Sequence, residues 1–129
     1  MSLFVVKSAN VLCESDLLDD LGKRAGSGEG ECQMRGRCIS KTNGVNTGIW
    51  ECSPGSFDVL NRTNCESVII LSGKVKLTDL LVEGGGAAAT KELEAGDVAV
   101  LEKGSSVRWE IVETVRKMYV IAPEKMSEA

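Results

Sequence analysis

Histidine is absent from this 129-residue sequence, although it is the side chain that proteins use most often to bind transition metals. A divalent metal site would therefore have to be built from carboxylate, thiolate or amide groups. The five cysteines contain no Cys-x-x-Cys pair; they are Cys13, Cys32, Cys38, Cys52 and Cys65. Because an odd set without close pairs fits neither a closed disulfide framework nor a zinc knuckle, we expect reduced thiols and no metal site.

Long apolar runs and clusters of basic residues are also missing. No stretch approaches the ~20 apolar residues that a membrane-spanning helix needs, and the apolar run at residues 3–6 is too short for a signal peptide. The 15 Lys and Arg residues are spread along a chain of net charge -4, so no basic stripe can follow a phosphate backbone. We therefore expect a cytoplasmic protein that binds neither membranes nor nucleic acid.

What is present is the composition of one globular domain, with 43% hydrophobic and 26% charged residues. One segment has helical character, since Ser15 can cap residues 16–21 and Gly22 can end them. The next stretch, residues 22–36, contains five glycines beside charged residues. This composition predicts a flexible loop after one short N-terminal helix.

From residue 37 onward, short β-rich runs alternate with glycine-containing turns, which predicts an all-β sandwich or barrel of antiparallel strands. The predicted strands cover residues 37–41, 47–52, 57–60, 65–72, 74–81, 91–93, 98–101, 107–112 and 116–121. We therefore divide a single domain into an N-terminal extension (residues 1–36), a barrel (37–121) and a C-terminal tail (122–129).

Three segments of the predicted barrel have specific expectations. The Ser72-Gly73 pair separates two predicted strands, and we expect it to form a two-residue hairpin turn. Residues 83–89 contain three glycines and three alanines, which predicts a mobile hairpin tip. The apolar run 98–101 lies between two turns, which predicts a strand that is buried on both faces.

Strand periodicity is clearest after Gly104. Val107, Trp109 and Ile111 alternate with Arg108 and Glu110. Because successive side chains of a strand point to opposite faces, the first three residues share one face. We expect that face to point into the interior.

Two spacings in the sequence resemble motifs of the cupin superfamily. Glu66 stands seven residues before Gly73, as the glutamate that ends the first cupin motif stands before its glycine. Gly96 and Asp97 precede Gly104 with the spacing of the second motif. This resemblance implies a cupin-type jelly-roll barrel, also called a double-stranded β-helix.

Further residues are similar to one branch of small cupins. Residues 48–55 read Gly-Ile-Trp-Glu-Cys-Ser-Pro-Gly, and residues 116–121 read Arg-Lys-Met-Tyr-Val-Ile after an earlier Trp109-Glu110 pair. These patterns resemble the ethanolamine-utilisation cupin and the cupin domain of ureidoglycine aminohydrolases. The resemblance covers residues 48–121.

The sequence departs from metal-binding cupins at all three histidine positions. By count, the family's His-x-His pair would fall within residues 59–62 and the third histidine at Val107, and none of these is histidine. If Glu66 faces inward as the family's metal ligand does, a buried carboxylate needs a cation to stay charged. Arg62 and Lys117 are the candidates, and Val68 and Ile70 should share the face of Glu66.

These considerations define a candidate ligand pocket and three hypotheses for function. The pocket residues are Trp50, Cys52, Arg62, Glu66, Val107, Trp109, Lys117 and Tyr119. The first hypothesis is a metal-free cupin without cofactor that binds a small polar metabolite, nitrogenous or carboxylated, in its barrel. The second is an enzyme acting on a small amide, ureide or sugar-like substrate, with Glu66 as acid/base and Lys117 or Tyr119 as its partner. The third is a non-catalytic partner or assembly module that dimerises through strand edges. Against the first two stands the alternative that Glu66 and its cation form a purely structural pair at the barrel's centre, with no substrate.

Overall fold

The computed structural model describes residues 18–24, 28, 30–81 and 89–123. These residues form β-strands and no helix. The strands are β1 (Asp19–Lys23), β2 (Gln33–Thr42), β3 (Val45–Cys52), β4 (Gly55–Val59), β5 (Cys65–Asp79), β6 (Thr90–Glu94), β7 (Val98–Leu101) and β8 (Val107–Ala122). The predicted all-β class is confirmed, and the strands pair antiparallel. The described part of the chain contains no helix that is long and apolar enough to span a bilayer.

Two long strands, β5 and β8, pair with each other and run through both layers of the barrel. The first half of β5 and the second half of β8 belong to a larger sheet with the order β1-β2-β3-β8-β5-β7. The remaining halves belong to a smaller sheet with the order β4-β8-β5-β6. Buried residues of both sheets form one core cluster, which gives the jelly-roll architecture implied by the resemblance.

The interior faces of β5 and β8 follow the alternation read from the sequence. Val68, Ile70, Val107, Trp109 and Ile111 are all buried, with exposures between 1% and 9%. The inward orientation predicted for these five residues is therefore confirmed. Other buried members of the same core are Cys32, Cys52, Phe57, Val75, Leu77, Leu93, Leu101 and Val115.

The hairpin predicted at Ser72-Gly73 is wrong, because both predicted strands belong to the single strand β5. Gly73 has a φ of +88°, and the pairing of β5 with β8 shifts register between Ile70 and Val75. Gly73 therefore lies in a bulged bend of β5 and not in a turn. The sequence could not distinguish the two, because glycine with a positive φ occurs in both. In the same way, the runs 107–112 and 116–121 form the single strand β8.

The prediction that residues 98–101 are buried on both faces is also wrong. Val98 and Val100 are 65% and 59% exposed, whereas Leu101 is buried. Strand β7 pairs with β5 and with no other described strand, so it lies at an edge of the larger sheet. Because the larger sheet packs one face on the core, the opposite face of β7, which carries Val98 and Val100, is open to solvent.

The N-terminal expectations need correction as well. The predicted helix of residues 16–21 lies partly outside the described residues, but its last three residues begin strand β1, which pairs with β2. Because β1 and the start of β2 fall within residues 19–36, the sheet begins before residue 37 and residues 22–36 are not one loop. The mobile tip predicted at residues 83–89 lies outside the described residues, apart from Ala89.

Candidate functional site

Glu66 lies near the start of β5 and is 3% exposed. Its Oε2 atom accepts a hydrogen bond from Lys117 Nζ at 2.7 Å, and its Oε1 atom lies 3.0 Å from Arg62 Nη2. Each carboxylate oxygen therefore faces a different cation. The internal cation expected from the sequence is confirmed, and both candidates take part.

Strand register explains why Lys117 reaches this position. Lys117 of β8 is the direct cross-strand partner of Trp50 in β3 and of Ile70 in β5. Cross-strand partners point to the same face of a sheet, so Lys117 shares the interior face with both. Its Nζ atom lies 4.6 Å from the Trp50 ring centroid and 4.4 Å from that of Trp109. Two indole faces therefore stabilise the ammonium group through cation–π contacts.

The aromatic residues around Lys117 form a continuous wall. Phe57 stacks on Trp109 with ring centroids 6.0 Å apart and an interplanar angle of 9°. Trp50 meets both rings edge-on, with each centroid separation 6.2 Å. The Arg24 guanidinium lies 4.3 Å from the Phe57 ring centroid. The wall is thus apolar and carries cations on its surface.

This wall and the Glu66 cluster line one cavity of about 400 Å³, a size typical of small-ligand sites. Arg24, Arg62, Lys117 and Glu66 line it, so positively charged side chains outnumber carboxylates among its described lining residues. The segment between β4 and β5 contributes polar side chains, and Arg62 also donates a hydrogen bond to Asn64 Oδ1 at 3.1 Å.

The structure brings six of the eight sequence-predicted pocket residues to this cavity. They are Trp50, Arg62, Glu66, Trp109, Lys117 and Tyr119. Cys52 and Val107 lie elsewhere: Cys52 is fully buried in the core, and Val107 lines a separate hollow beside β6 and β7. Both residues point inward as alternation predicts, but Cys52 stands two positions after Trp50 in β3 and Val107 stands two positions before Trp109 in β8.

Sequence reasoning missed several residues that line the cavity. Phe57 could have been found, because it is an aromatic residue in a predicted strand. Arg24 follows β1 within a glycine-rich stretch, and Asn61, Thr63 and Asn64 lie between β4 and β5. Residues outside strands follow no period, so no pattern in the sequence places their side chains.

Burial shifts the pKa of three side chains that line the cavity, and it lowers that of Arg24. Burial lowers the pKa of Lys117 below its usual 10.5, and the charges of Arg62 and Arg24 act in the same direction, while Glu66 opposes them. Burial also raises the pKa of Tyr119, with smaller contributions from Cys38 and Glu66. Loss of a proton is thus made easier for Lys117 and harder for Tyr119.

The side chains at this centre do not fit a divalent metal. Such a site usually needs three or more protein donors, and both oxygens of Glu66 already face the cations Lys117 and Arg62. Among the residues that the structure describes, no group of three or more Cys, Asp or Glu side chains is placed to hold a metal ion. The chemistry available here is that of an ammonium, a guanidinium and a carboxylate.

Comparisons with known proteins agree with this architecture. The model of the EutQ-like cupin domain matches residues 39–119. Among solved structures, the Clostridium difficile EutQ protein superposes with a TM-score of 0.58 at 16% identity, covering 72% of this chain and 64% of that chain. A predicted oxalate decarboxylase from Thermotoga maritima gives a TM-score of 0.64 at 17% identity, covering 92% and 98%.

The ectoine synthase of P. lautus also superposes, with a TM-score of 0.64 at 13% identity, covering 96% of this chain and 80% of that chain. At these identities the likenesses show a common fold and nothing about substrates. No curated protein matches the sequence. The chain spans 64% of the length of the C. difficile EutQ protein.

Proposed function

Because this chain belongs to the EutQ-like cupin domain family, whose barrel encloses a cavity here, we propose that the cavity binds a small metabolite carrying a carboxylate group. The observation that carries the proposal is that Lys117 and Arg62 share one carboxylate, Glu66. A buried ammonium and a partly buried guanidinium around one negative charge leave an excess of positive charge, which is costly in a poorly solvated site. A ligand carboxylate would neutralise it.

The walls of the cavity suit the remainder of such a ligand. Trp50, Phe57 and Trp109 offer apolar surface, and about 400 Å³ accommodates an acid of a few carbon atoms. The Nε1 atom of Trp109 is buried and has no hydrogen-bond partner among the described residues. Because Trp109 lines the cavity, a ligand oxygen is one acceptor that could satisfy this donor.

A thermal-shift panel at constant ionic strength tests the proposal. Small carboxylates such as acetate, lactate and pyruvate should raise the melting temperature, because a ligand that binds the folded state stabilises it. Alcohols and amines of matched size should not. If the amines stabilise the protein as much as the carboxylates do, or if no carboxylate stabilises it, the proposal is wrong.

A matched pair of arginine variants separates the cavity from the surface. Arg62→Gln removes the guanidinium that faces Glu66, so the carboxylate-dependent shift should be lost. Arg108→Gln removes an exposed guanidinium that pairs with Asp58 outside the cavity, so the shift should remain. An equal shift in both variants would place carboxylate binding outside the cavity.

A further inference from the structure

Lys117 carries a primary amine into the interior of the barrel. Its side chain is 8% exposed, and it lines the cavity between the rings of Trp50 and Trp109. No other lysine is among the described residues that line this cavity. A buried lysine is costly to keep unless its charge is satisfied or the amine is used, and lysines in such positions are suited to nucleophilic chemistry.

The surroundings of Lys117 allow its amine to become neutral. Burial and the nearby guanidinium groups of Arg62 and Arg24 lower its pKa, whereas Glu66 raises it. Because Arg62 lies against the Oε1 atom of Glu66, the Oε2 atom is the oxygen that is left to take a proton from Lys117. The Glu66 Oε2 atom, at 2.7 Å from Nζ, is in position to accept that proton.

We propose that Lys117 forms a reversible imine with the carbonyl group of a 2-oxo acid bound in the barrel cavity. This inference rests on the proposed function and deepens it, since it names the substrate class and the nucleophile. Lys117 and Arg62 lie on the two oxygens of the same Glu66 carboxylate. When the carboxylate of a 2-oxo acid binds at Arg62, the adjacent carbonyl carbon therefore lies close to Nζ. Among the acids in the panel, pyruvate is the one that has such a carbonyl group.

The reaction balances without an oxidant or reductant. Glu66 takes a proton from the Lys117 ammonium, and the neutral nitrogen attacks the carbonyl carbon. A C–N bond forms as the C=O π bond breaks, and the oxygen takes one of the two nitrogen protons. The resulting carbinolamine then loses its hydroxyl group and the remaining nitrogen proton as water, and the C=N bond forms. The planar product can stack on the face of one of the two indoles, Trp50 or Trp109, whose planes are 70° apart.

Reductive trapping tests this chemistry on the wild-type full chain. Incubation with pyruvate and cyanoborohydride should add the mass of pyruvic acid less one oxygen atom, and peptide mapping should place the adduct on Lys117. Lactate, which has the carboxylate but no ketone, should give no adduct and should slow the trapping of pyruvate. Adducts spread over surface lysines, or none on Lys117 although pyruvate raises the melting temperature, would overturn the inference.

Two lysine variants act as matched controls. Lys117→Arg keeps the positive charge but removes the amine, so trapping at this site should be lost. Lys76→Arg changes a half-buried lysine of β5 outside the cavity and should leave trapping intact. Because the adduct is mapped on the wild type, the test holds even if Lys117→Arg folds poorly. If no carboxylate of the panel stabilises the protein, the proposed function fails as well; if lactate and pyruvate both do and no imine is trapped, only this inference fails.

Discussion

The Lys117 ammonium donates a hydrogen bond to a Glu66 carboxylate that lies 51 residues earlier in the chain, at 2.7 Å. The second oxygen of Glu66 faces Arg62. The three groups are therefore not equivalent. Glu66 has two cationic partners, whereas Lys117 and Arg62 share Glu66 as their carboxylate in these two contacts. This asymmetry determines which substitution is most damaging.

Glu66→Gln should destabilise the fold by about 3–5 kcal/mol, because it leaves the buried Lys117 and the partly buried Arg62 without their carboxylate. Lys117→Met should destabilise it less, since Arg62 still neutralises Glu66. Urea unfolding of the wild type and both variants measures the two changes in free energy. A loss for Lys117→Met that equals or exceeds that for Glu66→Gln would contradict the arrangement described here.

Substitution of Gly73 tests the bulged bend in β5. Gly73→Ala should destabilise the protein by more than Gly104→Ala, although both glycines have nearly the same φ, +88° and +89°. A Cβ atom at Gly73 would collide with the backbone carbonyl of Thr114, whereas one at Gly104 meets open space. Gly104→Ala should thus show the conformational strain alone, about 1–2 kcal/mol. Thermal unfolding of both variants measures the difference, and equal losses would refute the close approach of β5 and β8 at Gly73.

The pH dependence of stability should report on the buried thiol of Cys52. Burial and the neighbouring Cys32 raise the pKa of Cys52 from 9.0 to about 12. In the unfolded chain this thiol ionises near pH 9.0, so above that pH the unfolded state loses a proton that the native state keeps. The stability that Cys52 contributes is therefore present below pH 9.0 and is lost as the pH rises towards about 12.

The measurement is the free energy of unfolding on both sides of pH 9.0 for the wild type and Cys52→Val, under reducing conditions. The wild type should lose stability more steeply with rising pH than the variant, which lacks the thiol. Parallel pH profiles would show that the Cys52 thiol ionises equally in both states.

The metal content of the purified protein tests whether Glu66 pairs with cationic side chains or binds a metal ion. We expect the purified protein to contain no stoichiometric manganese, iron, nickel or zinc, and we expect chelator treatment to leave its melting temperature unchanged. The physical reason is that both oxygens of Glu66 are engaged by cations. Elemental analysis that finds a stoichiometric metal in the wild type, and its loss in Glu66→Gln, would contradict this expectation.

The centre of the barrel was largely predictable from the sequence. Glu66 was placed by the spacing of a cupin-like motif, and the absence of histidine pointed to a substitute cation. Strand alternation placed Trp109, while the resemblance supplied Lys117. The inference for Trp109 succeeded because side-chain direction within a strand has a fixed period of two residues.

The sequence was less informative where no period applies. Gly73 was assigned to a turn because a glycine with positive φ serves turns and bulges alike, and the pairing with β8 that decides between them is a long-range property. Arg24 follows a short edge strand in a glycine-rich stretch, so nothing local indicates that its side chain reaches Phe57. The exposure of Val98 and Val100 depends on which face of β7 is packed on the core, and that packing is also a long-range property.

The most direct test of carboxylate binding uses the two tryptophans, which are the only ones in the sequence and which both line the cavity. Their indole N–H resonances can be followed by NMR while acetate, lactate or pyruvate is added at constant ionic strength. We predict that both resonances shift saturably with carboxylates and that matched alcohols and amines leave them unchanged. In Arg62→Gln, the carboxylate-dependent shift should be abolished. Indole resonances that stay fixed while a carboxylate binds elsewhere on the protein, or that respond equally to amines, would contradict it.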